Sequence, residues 1–217
     1  MKTVIILGNA RSGTSMVSGI VHHLGINMRP KDNPSVQNPK GSFEDHDFIQ
    51  WTSTICQSLI DGDYEKADEA TQLMNEGIQW RMEQGEDWGF KSALTHRILH
   101  RFDFSLFDEV YFIINYRNDL HNARSWLFHL KENYNDTSRS LEDALEEISK
   151  GNRNLSLVAS KLEEQNKYYT CYEDVKDDPL RVAEEIAEFL GIEFTDNLRQ
   201  AVDDFILRDY STIKKGK

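Results

Sequence analysis

Between Gly8 and Ser15 the chain reads GNARSGTS, an arginine and three hydroxyl side chains within one short glycine-bounded loop. Arg11 carries a permanent charge on a planar fork suited to oxyanions. Ser12, Thr14 and Ser15 add hydroxyl donors, while Gly8 and Gly13 bracket the turn. Two further cations, Lys91 and Arg117, each follow a short apolar run, in WGFK and EVYFIINYR. Residues of these types hold an anion. No His/Cys cluster has metal-ligand spacing, so the expected site contains no metal.

The elements around the loop explain how it would work. Thr3 to Leu7 is apolar and β-branched, as in a buried parallel strand. After the loop, Met16, Val17, Ile20, Val21 and Leu24 recur at helical spacing, and Gly25 can stop that helix. The first amides of a helix lack partners within it, and the helix dipole leaves that end partly positive. A phosphate or sulfate fits there. The spacing resembles a nucleotide-binding P-loop, G-x-x-x-x-G-K-[ST], with Thr14 in the lysine position. Nucleoside triphosphatases use that lysine, with magnesium, on the β- and γ-phosphates. A loop with arginine two residues before the second glycine suits a different anion.

Composition narrows the class. A chain of 217 residues is expected to form a single domain over 1–217 with a full core. A net charge of −12 argues against a nucleic-acid partner. No apolar run is long enough to span a bilayer, and MKTVIILGN reaches the glycine loop too soon for a signal peptide. The expected location is cytoplasmic, with no membrane partner. Cys56 and Cys171 then read as two reduced thiols.

Further along, residues 26–41 read as a long proline-containing loop, and 44–60 as a helix. Residues 63–84 form a charged surface helix broken near 70, and Trp88-Gly89-Phe90 a short strand delivering Lys91. A short helix is expected over 93–102. Glu109 to Asn115 is the strongest later strand, and Asn118 or Asp119 can cap the helix after it. A helical region over 140–165 is expected to be interrupted at Gly151. Lys167 to Tyr172 is a late strand, with Glu173-Asp174 as a turn capping the next helix. Two amphipathic helices, near 179–190 and 196–207, come last. Alternating strands and helices imply an α/β fold of three layers, with a central parallel sheet of about four or five strands and a P-loop-like first strand–loop–helix. Ligands in such sheets bind beyond the carboxyl ends of the strands, where Arg11, Lys91 and Arg117 would meet.

With these motifs in order, the chain resembles the sulfotransferases that use 3′-phosphoadenosine 5′-phosphosulfate (PAPS), in particular their bacterial branch. The loop Arg11-Ser12-Gly13-Thr14 is similar to the family's basic-Ser-Gly-Thr loop. YFIINYRNDLHNARSW supplies an arginine at a strand end and a serine eight residues on, Arg117 and Ser125. NPKGSFEDHDF, WGFKSALTH and KYYTCYEDVKDDPLRVAEEIAEFLGI resemble three further family segments, so the likeness covers most of residues 1–195.

The resemblance implies roles. Arg11, Ser12, Gly13, Thr14 and Ser15 would hold the 5′-phosphosulfate, Arg117 and Ser125 the 3′-phosphate, and Arg11 with Lys91 would stabilise the leaving phosphate. The product would be 3′-phosphoadenosine 5′-phosphate (PAP), without metal. Many cytosolic members have a catalytic histidine two residues after the lysine matching Lys91; here that residue is Ala93. Other branches use a glutamate, which makes Glu44 the leading base, with Asp45, His46 and His96 behind it. The acceptor would be a hydroxyl of a small molecule or carbohydrate. The basic tail Lys214-Lys215-Gly216-Lys217 reads as solvated. The alternatives are a P-loop kinase-like phosphotransferase and a catalytically weak nucleotide-binding protein.

Overall fold

A computed structural model describes residues 1–29 and 41–207. The tail and most of the proline-containing loop lie outside the described residues. In chain order the elements are β1 (Lys2–Gly8), α1 (Thr14–His23), α2 (His46–Asp61), α3 (Tyr64–Glu83), β2 (Trp88–Lys91) and α4 (Thr95–Ile98). After these come β3 (Glu109–Tyr116), α5 (Asp119–Tyr134), α6 (Leu141–Ala159), β4 (Lys167–Cys171), α7 (Tyr172–Asp177), α8 (Pro179–Phe189) and α9 (Asp196–Leu207).

The four strands form one parallel sheet in the order β2-β1-β3-β4. Alternation along β1 builds both sides of it. Val4 and Ile6 face a core shared with α1, α8 and α9, through residues such as Ile20, Ile186 and Val202. Ile5 and Leu7 face a second core with Phe48, Met74, Phe90 and Leu155, from α2, α3, β2 and α6. The result is helix, sheet, helix, and both faces of β1 are fully buried. The register brings the strand ends together: Lys91 pairs with Ile6, and Asn115 with Gly8.

Three local expectations need correction. Helix α3 runs unbroken from Tyr64 to Glu83. Its buried residues Ala67, Ala70, Met74 and Ile78 keep one stripe against the core straight through residue 70. Helix α6 passes through Gly151 without interruption. The glycine is there because a Cβ would lie 2.2 Å from Asn9 Oδ1. Glu173 and Asp174 belong to the short helix α7, not to a turn, and the cap of α8 is Asp178, which accepts from the Arg181 amide.

Candidate active site

The loop after β1 is shaped by its own backbone. Gly13 has φ of 93°, and a Cβ on it would lie 2.4 Å from the Tyr172 ring. Both facts require glycine. Arg11 adopts φ of 65°, a left-handed conformation that costs a non-glycine residue about 1–2 kcal/mol. Its neighbours hold it there. The Arg11 carbonyl accepts from Arg117 Nη1 at 2.9 Å and, with the Asn122 amide turned to donate, from Asn122 at 3.2 Å. Asn115 Nδ2 donates to the Ser12 carbonyl at 2.8 Å. Asn9 Nδ2 ties the loop to α6 through the Ile148 carbonyl at 3.2 Å and Asn152 at 2.7 Å.

A cavity of about 340 Å³ opens above this loop. Arg11, Gly13, Thr14, Ser15, Glu44, Lys91, Arg117 and Ser125 all line it. Eight of the nine residues given leading roles in the sequence analysis therefore meet in one place, contributed by the β1–α1 loop, the first turn of α1, the segment before α2, the end of β2, the β3–α5 junction and α5. Ser12 is the exception: it is buried, and its hydroxyl has no protein partner among the described residues.

Three cations converge there, from loop and strand-end positions. Lys91 is buried and donates to Glu44 Oε1 at 2.9 Å and to Ser15 Oγ at 3.0 Å. Burial pushes its pKa down, the Glu44 carboxylate pulls it back up, and the Arg11 charge lowers it again. Burial likewise lowers Arg11, as does the like charge of Arg117. Arg117 stacks on the Tyr172 ring, 4.2 Å from its centroid. The Nε groups of Arg11 and Arg117 are buried donors without protein partners among the described residues. A buried donor costs free energy until an acceptor meets it, so these two fit an anionic ligand.

The other base candidates stand elsewhere. Asp45 is buried, caps α2 through the Asp47 and Phe48 amides, and forms an ion pair with Arg81. His46 is exposed. His96 borders a different cavity of about 530 Å³ with Gly151 and Asn154, and burial holds its pKa down to about 4. None of the three lines the cavity with Arg11, whereas Glu44 does.

Residues not singled out from the sequence also shape the site. Tyr172 packs on Gly13 and under Arg117. Asn122 sits three residues before Ser125 and His129 four after it, all on one face of α5. Ser125 and His129 line the cavity. That spacing is the one signal in the sequence that points to them.

The sequence profile of the sulfotransferase domain matches residues 1–215. The sulfotransferase domain from the curacin biosynthetic pathway superposes with a TM-score of 0.61 at 17% identity, over 91% of this chain and 76% of that one. A sulfotransferase from Mycobacterium tuberculosis H37Rv gives 0.60 at 16% identity, over 93% and 70%. Retinol dehydratase in complex with androsterone and the inactive cofactor PAP gives 0.56 at 15% identity, over 94% and 63%. A sequence comparison with curated proteins finds no match. The structural neighbours share the fold, the profile spans nearly the whole chain, and the chain belongs to the sulfotransferase family.

Proposed function

We propose that this single-domain chain transfers a sulfuryl group from PAPS to a hydroxyl of a small-molecule or carbohydrate acceptor. The observation that carries the reading is the convergence of Arg11, Lys91 and Arg117 on one cavity at the first turn of α1. Three fold neighbours are complexes with PAP, one of them also with androsterone and another with retinol, which supports the donor and a small-molecule acceptor.

The donor supplies an activated sulfuryl group; the protein positions it and balances charge. The α1 amides with Thr14 and Ser15 would hold the 5′-phosphate, and Arg117 with Ser125 the 3′-phosphate. Arg11 and Lys91 would neutralise the negative charge that grows on the bridging oxygen as its bond to sulfur breaks. Glu44, beside Lys91, would take the proton of the acceptor hydroxyl as oxygen bonds to sulfur. The products are a sulfate ester and PAP, and the proton stays on Glu44 until solvent removes it. No step requires a metal.

Calorimetric titration with PAP in EDTA tests the donor site, with ATP and magnesium as the comparison. Arg117→Ala removes the guanidinium that both holds the Arg11 carbonyl and faces the cavity. The expected result is metal-independent PAP binding, weakened by Arg117→Ala by roughly 10- to 100-fold, as for hydrogen bonds to charged groups. Binding of ATP with magnesium and none of PAP would replace this reading with a kinase-like one.

A further inference from the structure

The two phosphate-binding ends of the cavity are carried by different segments, and a chain of side chains outside the cavity joins those segments. Asn9 stands two residues before Arg11 in the β1–α1 loop, and Asp119 two residues after Arg117 at the start of α5. Asn152, on α6, bridges them. Its Oδ1 accepts from Asn9 Nδ2 at 2.7 Å, and its Nδ2 donates to Asp119 Oδ1 at 2.7 Å. Ser149 Oγ donates to the other Asp119 oxygen at 3.1 Å. Asn9, Asn152 and Asp119 do not line the cavity, so whatever they do for a ligand they do through the loops they hold.

The direction of each bond in this chain is fixed. An ionised carboxylate can only accept, so Asn152 turns its amide nitrogen to Asp119 and its oxygen to Asn9. Asn9 must then offer its own nitrogen to α6, where the Ile148 carbonyl takes the second N–H at 3.2 Å. Position 152 therefore needs one donor and one acceptor on a short planar group, which asparagine supplies and neither aspartate nor an apolar residue does. Asn9 is buried, so losing its partner would leave a polar group without water to replace it. Gly151, next to Asn152, leaves the room that Asn9 occupies.

Resting on the reading of the cavity as a PAPS site, we propose that Asn152 is a positioning residue that fixes the spacing between the 5′- and 3′-phosphate subsites. Once one phosphate of a rigid nucleotide is bound, the second contact is intramolecular, and its benefit disappears if the subsites fall out of register. The role is specific to nucleotides phosphorylated at both ends. A nucleotide with one phosphate uses one subsite and is indifferent to the spacing.

The test compares wild type, Asn152→Asp, Asp119→Asn and the double variant by calorimetry with PAP and with adenosine 5′-phosphate. Asn152→Asp sets two carboxylates against each other where a hydrogen bond stood. It is expected to weaken PAP about tenfold or more while adenosine 5′-phosphate stays within about threefold. Asp119→Asn keeps an acceptor for Asn152 and is expected to behave as wild type. In the double variant the carboxylate at position 152 accepts from Asn9 and from the amide at position 119. The chain closes with its second bond reversed, and PAP affinity is expected to return to within a few-fold of wild type. Asp119→Ala removes only the far link, at a partly exposed position where folding is at less risk, and is expected to lower the preference for PAP in the same direction. Folded Asn152→Asp or Asp119→Ala that keeps the wild-type preference for PAP over adenosine 5′-phosphate overturns the proposal and leaves the donor site intact, as does a double variant no better than Asn152→Asp. Wild type that binds no PAP overturns the donor reading and this proposal together. Amide hydrogen exchange over residues 9–13 of the free protein gives a readout without ligand. Exchange there is expected to rise in Asn152→Asp and to fall back in the double variant; unchanged exchange would also overturn the proposal.

Discussion

At the scale of single residues, the Lys91–Glu44 pair is the part of the cavity that the proposed reaction depends on most directly. Glu44 is partly open to the cavity while Lys91 is buried, so the carboxylate is the member that can reach a bound hydroxyl. In the proposed reaction Glu44→Gln keeps the size and the contact with Lys91 but cannot take a proton. Sulfuryl transfer, monitored as PAP release with an acceptor that wild type turns over, is expected to fall on the order of 100- to 10,000-fold. PAP affinity is expected to stay within a few-fold. Unchanged turnover would remove Glu44 from the mechanism, and lost PAP binding would reassign it to holding the donor loop through Lys91 and Ser15.

At the scale of elements, the contact between α6 and the loop after β1 is closely packed, with Gly151 against Asn9. Gly151→Ala in an exposed stretch of helix would add about 1 kcal/mol of stability. Here the new methyl meets Asn9, which is 5% exposed and held by two hydrogen bonds to α6, so it cannot swing aside at little cost. Overpacking of this kind costs about 1–3 kcal/mol. Urea denaturation is expected to show destabilisation, with weaker PAP binding because Asn9 belongs to the same loop as Arg11, two residues before it; stabilisation would mean that the loop yields freely. The same contact explains what can be read from the sequence. The strands are legible because four apolar runs stand apart from charged helices, and Arg11, Lys91 and Arg117 are legible because strand ends collect ligand-binding groups. Gly151 reads as a helix break in the sequence because its reason lies on another element, far away in the chain. Tyr172 escapes for the same reason, since its role arises from tertiary approach, while Asn122 and His129 carry no signal beyond their one-face spacing with Ser125 on α5.

At the scale of the whole molecule, His96 links stability to pH. It is 2% exposed, neither ring nitrogen has a protein partner among the described residues, and burial depresses its pKa from 6.5 to about 4. The unfolded chain takes up this proton first as pH falls. The contribution is therefore fully present above pH 6.5 and is lost progressively down to about pH 4. A shift of this size corresponds to up to about 3 kcal/mol. Between those limits the melting temperature of wild type is expected to fall more steeply than that of His96→Leu; parallel curves would show that His96 protonates without cost. Among the described residues no helix is long and apolar enough to cross a membrane. The sheet order has a further consequence, for synthesis. β1 pairs with β2 and β3, whose residues come roughly 85 to 107 positions later. At about 5–20 residues per second, β1 waits several seconds outside the ribosome with both hydrogen-bonding edges and both apolar faces uncovered. Stalled nascent chains ending before Glu109 are expected to be protease-sensitive and to hold chaperones, because β1 and the loop after it cannot be covered until β2 and β3 emerge.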